Sequence, residues 1–483
     1  GTLQASPHLG TATITHDLTL SNGATLAYGV NADGSSAPVL VGGTAHLNGA
    51  TLAINAGSGT YPWLSQYRVL NAGTLDGTFG NVTSDYAFLT PTLNYTPTSV
   101  ELTYARNDVA FADYASSTNG HSAAVGLSQL KAGNALYNAL LNTSTQAAGA
   151  AIEQLAGSSN ASLSSATLGA TSQVGSSMLA AMQSVGAGAG LRVASAAQDT
   201  PALAATGLPP GVRNLNDPNA QGRLWLQGLG SYGRLDGTHG NSDLTQRTKG
   251  GVLGADWALT PDWRMGVLGG YSKTDVDSSA MEGTVNSWHA GVYGIRQSGA
   301  LAVRLGAAYS GHNGDSKRSV AFNGFTDQPK GDYHASSQQA FAELGYALGS
   351  GRLSAEPFAN LGYQRYQRDR YTEKGGAAAL RVDKQTQDNV SSTLGVRLAH
   401  LSQLENGMSL TPRLSAGWKH TYGDVSSSTN QSFVLGGSAF NVEGSALDRN
   451  SLVLEAGLDI GVSARQTLGV GYTGDMGSNS RTH

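Results

Sequence analysis

From Ser451 to Val462 the side chains alternate in character. Leu452, Leu454, Ala456, Leu458, Ile460 and Val462 share one face, and Ser451, Val453, Glu455, Gly457, Asp459 and Gly461 share the other. A repeat of two is the strand period. The pattern returns along the last 260 or so residues, from Trp225–Tyr232 through Leu253, Ala255, Trp257 and Leu259 to Leu468, Val470 and Tyr472. It predicts about eleven strands. One alternating segment also fits a soluble sandwich. The repetition instead predicts a closed antiparallel barrel with apolar side chains toward lipid and polar ones toward a wet lumen.

The connections fall into two classes. Thr260-Pro261, Ser298-Gly299, Gly349–Gly351 and Ala464-Arg465 predict tight turns, while 234–249, 273–286, 311–333 and 365–389 predict long polar loops. Short turns on one rim and long loops on the other suit a barrel with a periplasmic and an outer end. The alternation assigns Leu253, Trp257, Val267, Leu305, Leu344, Leu361, Leu414, Leu454 and Leu458 to the lipid face. It assigns Arg264, Arg304, Glu343, Glu356, Arg397, Arg413, Glu455 and Asp459 to the lumen, with Asp256 beside them. That placement spares the hydrocarbon a midplane Arg or Lys, at about 2–4 kcal/mol each. Tyr and Trp near the strand ends, among them Tyr232, Trp263, Tyr309, Trp418 and Tyr472, predict aromatic girdles.

Residues 1–110 have another texture, with short Thr-, Leu- and Ala-rich runs between Asn-Gly turns. "HDLTLSNGATLAYGV" and "GGTAHLNGATLAINA" echo each other, which suggests stacked rungs of a β-solenoid rather than a sandwich. Trp63, Tyr67, Phe79, Tyr86, Phe88 and Tyr95 supply its aromatic core. Residues 111–220 join the two β regions. Val125, Leu127, Leu130, Leu136, Tyr137, Leu140 and Leu141 have helical spacing. Gln154 to Leu191 contains no Asp, Glu, Lys, Arg or His and is built mainly of Ala, Ser, Gly and Thr. A flexible linker is one reading of it; a slim helix at about 155–195 inside a narrow polar lumen is the favoured one. Pro201, Pro209 and Pro210 would end that helix.

Composition narrows the class. Charged residues are 13% of the chain, about half the usual share. There are 65 Gly and no Cys, so neither a disulfide framework nor a thiolate metal site is available. A net charge of −4 gives no sign of a nucleic-acid partner. No stretch is long and apolar enough for a membrane helix, as expected where strands do the crossing.

"SQYRVLNAGTLDGTFGNVTSDYAFLTPTLNYTPTSVELTYARNDVAFADYA", "LSQLKAGNALYNALL", "RLWLQGLGSYGRLDG", "WRMGVLGGYSKTDVD" and "FNVEGSALDRNSLVLEAGLDIGV" carry a family likeness. In this order the chain resembles the monomeric autotransporters of Gram-negative bacteria (type V secretion). The resemblance implies a passenger end with autochaperone activity at 1–110, a linker with a lumen-plugging helix at 111–220, and an outer-membrane translocator at 221–483. It implies that the barrel anchors in the outer membrane and exports its own passenger to the cell surface. Outer-membrane lipid, the barrel assembly machinery and periplasmic chaperones are the implied partners. The family barrel is similar to a twelve-stranded one with a C-terminal aromatic residue. A count of about eleven strands ending at His483 departs from this and predicts a missing last strand.

Catalytic chemistry has little support, and no cofactor or metal site is expected. His8, His16 and His46 fall among turns and are read as solvent-exposed. Gly314-Asp315-Ser316 has the look of a lipase motif but falls in a predicted loop. Some autotransporters cut their own linker helix, which makes Asn160, with Glu343, Glu356 and Glu455, a candidate self-cleavage set. The favoured reading pairs those acids with lumenal Arg residues. A diffusion pore and a surface adhesin using the solenoid remain alternatives.

Overall fold

The computed structural model describes residues 1–31, 35–56, 66–196, 222–350, 352–404, 408–423, 425–463 and 466–483. Trp63, the three prolines and the Ala464-Arg465 turn lie outside them. In the N-terminal region, Thr25–Val30 and Thr51–Ala56 run parallel, with Leu26 against Leu52 and Tyr28 against Ile54. The two echoing phrases are therefore the same place on successive rungs. Thr2–Ala5 and Asn81–Ser84 extend this ladder on either side. A second parallel ladder joins Thr13–Ile14 and Leu18–Thr19 to Val39–His46, and that strand to Tyr67–Asp76. Leu26, Tyr28, Val41, Leu47, Leu52, Ile54 and Val69 are buried in a shared core. The stack ends differently. Leu89–Tyr95 and Ser99–Arg106 form an antiparallel hairpin whose second strand also pairs antiparallel with Tyr67–Asp76. The hairpin covers an edge that would otherwise stay open.

Helices α1 (Thr118–Ser128), α2 (Ala135–Leu141) and α3 (Ala148–Ala156) follow. The helical spacing from Val125 to Leu141 is thus split in two. Gly133 takes φ +95°, and Asn134 caps α2 by accepting from the amides of Leu136 and Tyr137. Gly157, at φ +59°, ends α3 in the left-handed region. Helix α4 (Ser159–Ala196) starts two residues later. The helix expected at 155–195 therefore opens with the end of α3 and a glycine break.

Twelve strands among the described residues make an antiparallel ring. They are β1 (Arg223–Leu235), β2 (Leu244–Ala258), β3 (Trp263–Ser278), β4 (Met281–Ser298), β5 (Leu301–Arg318) and β6 (Lys330–Tyr346). Then come β7 (Leu353–Arg368), β8 (Gln385–His400), β9 (Ser409–Gly423), β10 (Asn450–Ser463), β11 (Gln466–Met476) and β12 (Ser480–Thr482). Each pairs with the next, and β12 pairs with both β11 and β1, which closes the meander. The count of eleven is one short because three residues are too few to show a period.

The predicted long loops are mostly strand. β3 and β4 are joined by Ser279 and Ala280 alone, and Gly314–Ser316 lies inside β5, paired with Gly331–Tyr333 of β6. These strands keep their period of two beyond the apolar belt, but the contrast inverts there, with Asp277 and Glu282 exposed and Val276, Met281 and Val285 buried inward, so a search for outward apolar positions loses them. Along β5 exposed or half-buried positions alternate with buried ones over all 18 residues. The remaining long connections carry small hairpins. Val320–Phe322 pairs with Phe325–Asp327, and Tyr371–Thr372, Leu380–Val382, Ser428–Phe433 and Gly436–Glu443 form a four-stranded sheet.

Candidate functional site

The candidate site is the barrel interior around α4. The helix is slim by composition, and the ring approaches it closely. A methyl at Gly169 would come within 2.8 Å of Gln246 Nε2, and one at Gly175 within 3.0 Å of Gln339 Oε1. Its hydroxyls mostly bond back to its own carbonyls: Thr167 to Leu163 at 2.8 Å, Ser172 to Gly169 at 2.7 Å and Ser177 to Gln173 at 2.9 Å. They are satisfied without gripping the barrel. Val174, Met178 and Met182 meet Leu268, Tyr293, Ile295 and Ala308 in a small apolar cluster on the β3–β5 side. A polar cavity beside the helix is lined by Asn360, Asn389, Thr393, Lys419, Thr421 and Glu455.

Two polar clusters fix the wall. Arg304 Nη1 donates to Glu343 at 2.8 Å and to Glu356 at 2.9 Å, and its Nη2 donates to Glu356 at 2.9 Å. Arg397 closes the quartet on both acids. The register makes this possible, since Arg304 stands opposite Glu343 and Glu356 opposite Arg397. The second cluster centres on Asp256, which has no exposure and accepts from Arg223, Tyr293 and Arg264. Farther round, Arg413 meets Asp459 at 3.0 Å, Ser415 donates to Glu455 at 2.9 Å and Lys419 meets Asp475 at 2.7 Å. On the outside, Leu253, Trp257, Val267, Leu305, Leu344, Leu361 and Leu414 are exposed, and Leu454 and Leu458 are half-buried.

Asn160 is fully buried at the first turn of α4. Its Nδ2 donates to Glu373 Oε1 at 3.1 Å, and its carbonyl accepts from Arg368 at 2.8 Å. Glu373 also takes a bidentate pair from Arg318 at 2.7 and 2.8 Å. The acids expected beside Asn160 are engaged elsewhere: Glu343 and Glu356 by arginines, and Glu455 by Ser415. Sequence reasoning missed Arg318, Arg368 and Glu373 because they lie in stretches read as loops. The one available signal was the run of charges from Arg368 to Lys374. His8 and His16 are exposed, as expected, whereas His46 is half-buried with Nδ1 2.6 Å from Asp76 and is not simply solvated.

A family model described as the autotransporter β-domain matches residues 224–473. An extracellular serine protease of Serratia marcescens is 36% identical over 256 residues, covering 53% of this chain and 24% of that protein. The probable autotransporter YfaL of Escherichia coli is 29% identical over 189 residues, covering 36% of this chain and 14% of that one. The chain thus spans about a quarter of the length of the serine proteases it matches. Among solved structures, the translocator domain of autotransporter NalP from Neisseria meningitidis aligns with a TM-score of 0.46 at 14% identity, covering 55% of this chain and 86% of that one.

Proposed function

The chain belongs to the autotransporter β-domain family, and from that premise we propose how its parts divide the work. The barrel is an outer-membrane anchor that exports its own passenger to the cell surface. In this reading residues 1–110 are the passenger's C-terminal end and its folding nucleus, 111–220 are the linker, and 221–483 are the anchor. Helix α4 is the part of the linker left in the lumen after export. The observation that carries this is a small-residue helix, free of charged side chains from Ser159 to Leu191, inside a closed ring.

The lumenal charges serve structure. Glu343 and Glu356 are held by Arg304 and Arg397, which supports an ion-pair role over cleavage at Asn160. Relatives named serine protease and esterase point to enzymatic passengers. Such activity would belong to passenger sequence, with the barrel as conduit. Delivery to the membrane would use periplasmic chaperones and the barrel assembly machinery.

The test is expression of the full chain in a Gram-negative host. The expected result is a heat-modifiable outer-membrane protein with an N-terminal epitope reachable by external protease on intact cells. Recovery of the chain as a monodisperse species from detergent-free extracts would overturn the reading.

A further inference from the structure

On the outward face of β2 and β3 the apolar belt gives way to cations. Lys249 of β2 stands directly opposite Lys273 of β3, and Arg247 follows one outward step farther up β2. Directly opposed residues have Cβ atoms about 4.5–5.5 Å apart, and like charges there repel. Among the described residues Lys249 has no ion-pair partner, and Lys273 has one, Asp275, at 3.6 Å. Arg247 lies over the Tyr232 ring, 5.9 Å from its centroid. Other acids are placed elsewhere: Asp236 and Asp243 are taken by Arg234, and Asp315 and Asp332 stand on β5 and β6. The strand pairing thus holds two ammoniums side by side with little to neutralise them.

Toward the membrane centre from these lysines, the wall is bare. Gly228 of β1 stands opposite Gly251 of β2, and Gly230 stands opposite Lys249. A methyl on Gly228 or Gly230 would meet nothing within 4 Å, and one on Gly251 would meet only the Gln227 carbonyl, at 3.5 Å. No neighbouring side chain needs this space, so the three glycines leave a trough in the outer wall. Tyr232, Leu253 and Tyr271 are exposed along its border. The Tyr271 hydroxyl donates to Asn286 Oδ1 at 3.1 Å, which fixes that ring. Glycine inside a strand costs stability and often marks the close approach of a ligand.

Resting on the export reading above, which sets this face against the outer leaflet, we infer that β1–β3 carry a site for one phosphorylated glycolipid. Its phosphate sits between Lys249 and Lys273, with Arg247 beside it, and an acyl chain lies along Gly228 and Gly251. A phosphate monoester carries about −1.5 to −2 charges near pH 7, which matches two adjacent ammoniums. A phosphodiester carries about half of that and matches them less well. The bound phosphate removes the repulsion between the lysines, and the trough takes up apolar chain that a flat wall would leave in bulk lipid.

The experiment purifies the full chain in detergent, selects the heat-modifiable species and measures retained lipid by native mass spectrometry. The probes are diphosphoryl lipid A, its dephosphorylated form and phosphatidylglycerol. The wild-type chain is expected to retain lipid A more tightly than either of the others. Lys249→Gln/Lys273→Gln should weaken lipid A retention about thirtyfold, the effect of two cations at a lipid surface. Lys249→Arg/Lys273→Arg should keep it. Gly251→Leu fills the trough without changing charge and should weaken retention roughly tenfold, the worth of about two acyl methylenes. Arg296→Gln, an equal loss of charge at the other end of β4, should change nothing. Equal retention of lipid A and either comparison lipid by the wild-type chain would overturn the inference. Undiminished retention in Lys249→Gln/Lys273→Gln or in Gly251→Leu would do the same. Failure of the export reading looks different: the wild-type chain would yield no heat-modifiable species to begin with.

Discussion

Arg223 and Asp256 form a buried pair in which one guanidinium serves both the barrel and the helix. Nε and Nη2 of Arg223 reach the carboxylate at 2.6 to 3.2 Å. Nη2 also donates to the Ala181 carbonyl and Nη1 to Ser184 Oγ, both at 2.8 Å. Arg223→Ala removes a charged tie between α4 and the wall and leaves Asp256 with Arg264 and Tyr293 alone. A buried acid losing its bidentate partner costs about 3–5 kcal/mol. The expected outcome is a lower midpoint for heat modification in detergent, with raised conductance in planar bilayers as the helix loosens. Unchanged conductance with a lower midpoint would confine Arg223 to holding the wall.

The Arg304–Glu343–Glu356–Arg397 quartet carries no net charge, and its members sit on four successive strands. Glu343→Gln leaves one uncompensated guanidinium charge in the lumen and is expected to destabilise the barrel by about 3–5 kcal/mol. Glu343→Gln/Arg397→Gln restores neutrality. It should recover part of the loss, with a coupling of about 0.5–3 kcal/mol. Equilibrium unfolding of the solubilised barrel in urea measures both. Additive losses would show that the charges act singly.

What the sequence revealed and hid follows from which solvent each segment meets. Apolar-polar alternation is legible only where lipid demands it: Leu253, Val267 and Leu305 mark their strands clearly. Lys273–Ser278 and Met281–Asn286 continue the same strands beyond the belt, but water on their outer face inverts the contrast: Asp277 and Glu282 are exposed and Val276, Met281 and Val285 are buried. The solenoid echo was legible because Leu26 and Leu52 must meet in register. The Asn160–Glu373–Arg318 cluster was not, because its members are more than 50 residues apart in sequence and no local period joins them.

Gly444 lies where the chain leaves the outer hairpin and crosses the start of α4. A methyl there would stand 2.8 Å from the Ala161 carbonyl carbon and 2.9 Å from its oxygen, and backbone cannot yield as a side chain can. Ser445 anchors the crossing, its amide donating to Ser162 Oγ at 3.0 Å. Gly444→Val is expected to lift this segment and cost about 1–3 kcal/mol. The readout is external protease cutting near residues 444–449 in intact cells, which should rise. The same variant in a chain lacking 159–196 should show no added cutting, since the backbone it collides with is gone.

Asp448, in the connection before β10, organises the turn into β12. Its carboxylate accepts from the hydroxyls of Ser478 and Ser480 and from the amides of Asn479 and Ser480, at 2.7 to 3.1 Å. Burial pushes its pKa up, but these four donors outweigh burial and hold it below the ordinary 3.8. A depressed folded pKa means that the stabilisation is present above the unfolded value and is lost as pH falls through the folded one. The β11–β12 turn should therefore be intact at neutral pH and release below about pH 4. Amide exchange at Asn479 and Ser480, corrected for intrinsic rates, should accelerate on acidification below that point in the wild-type chain. In Asp448→Asn it should already be fast at neutral pH and change little with acid. A wild-type acid response preserved in Asp448→Asn would assign the release to another carboxylate.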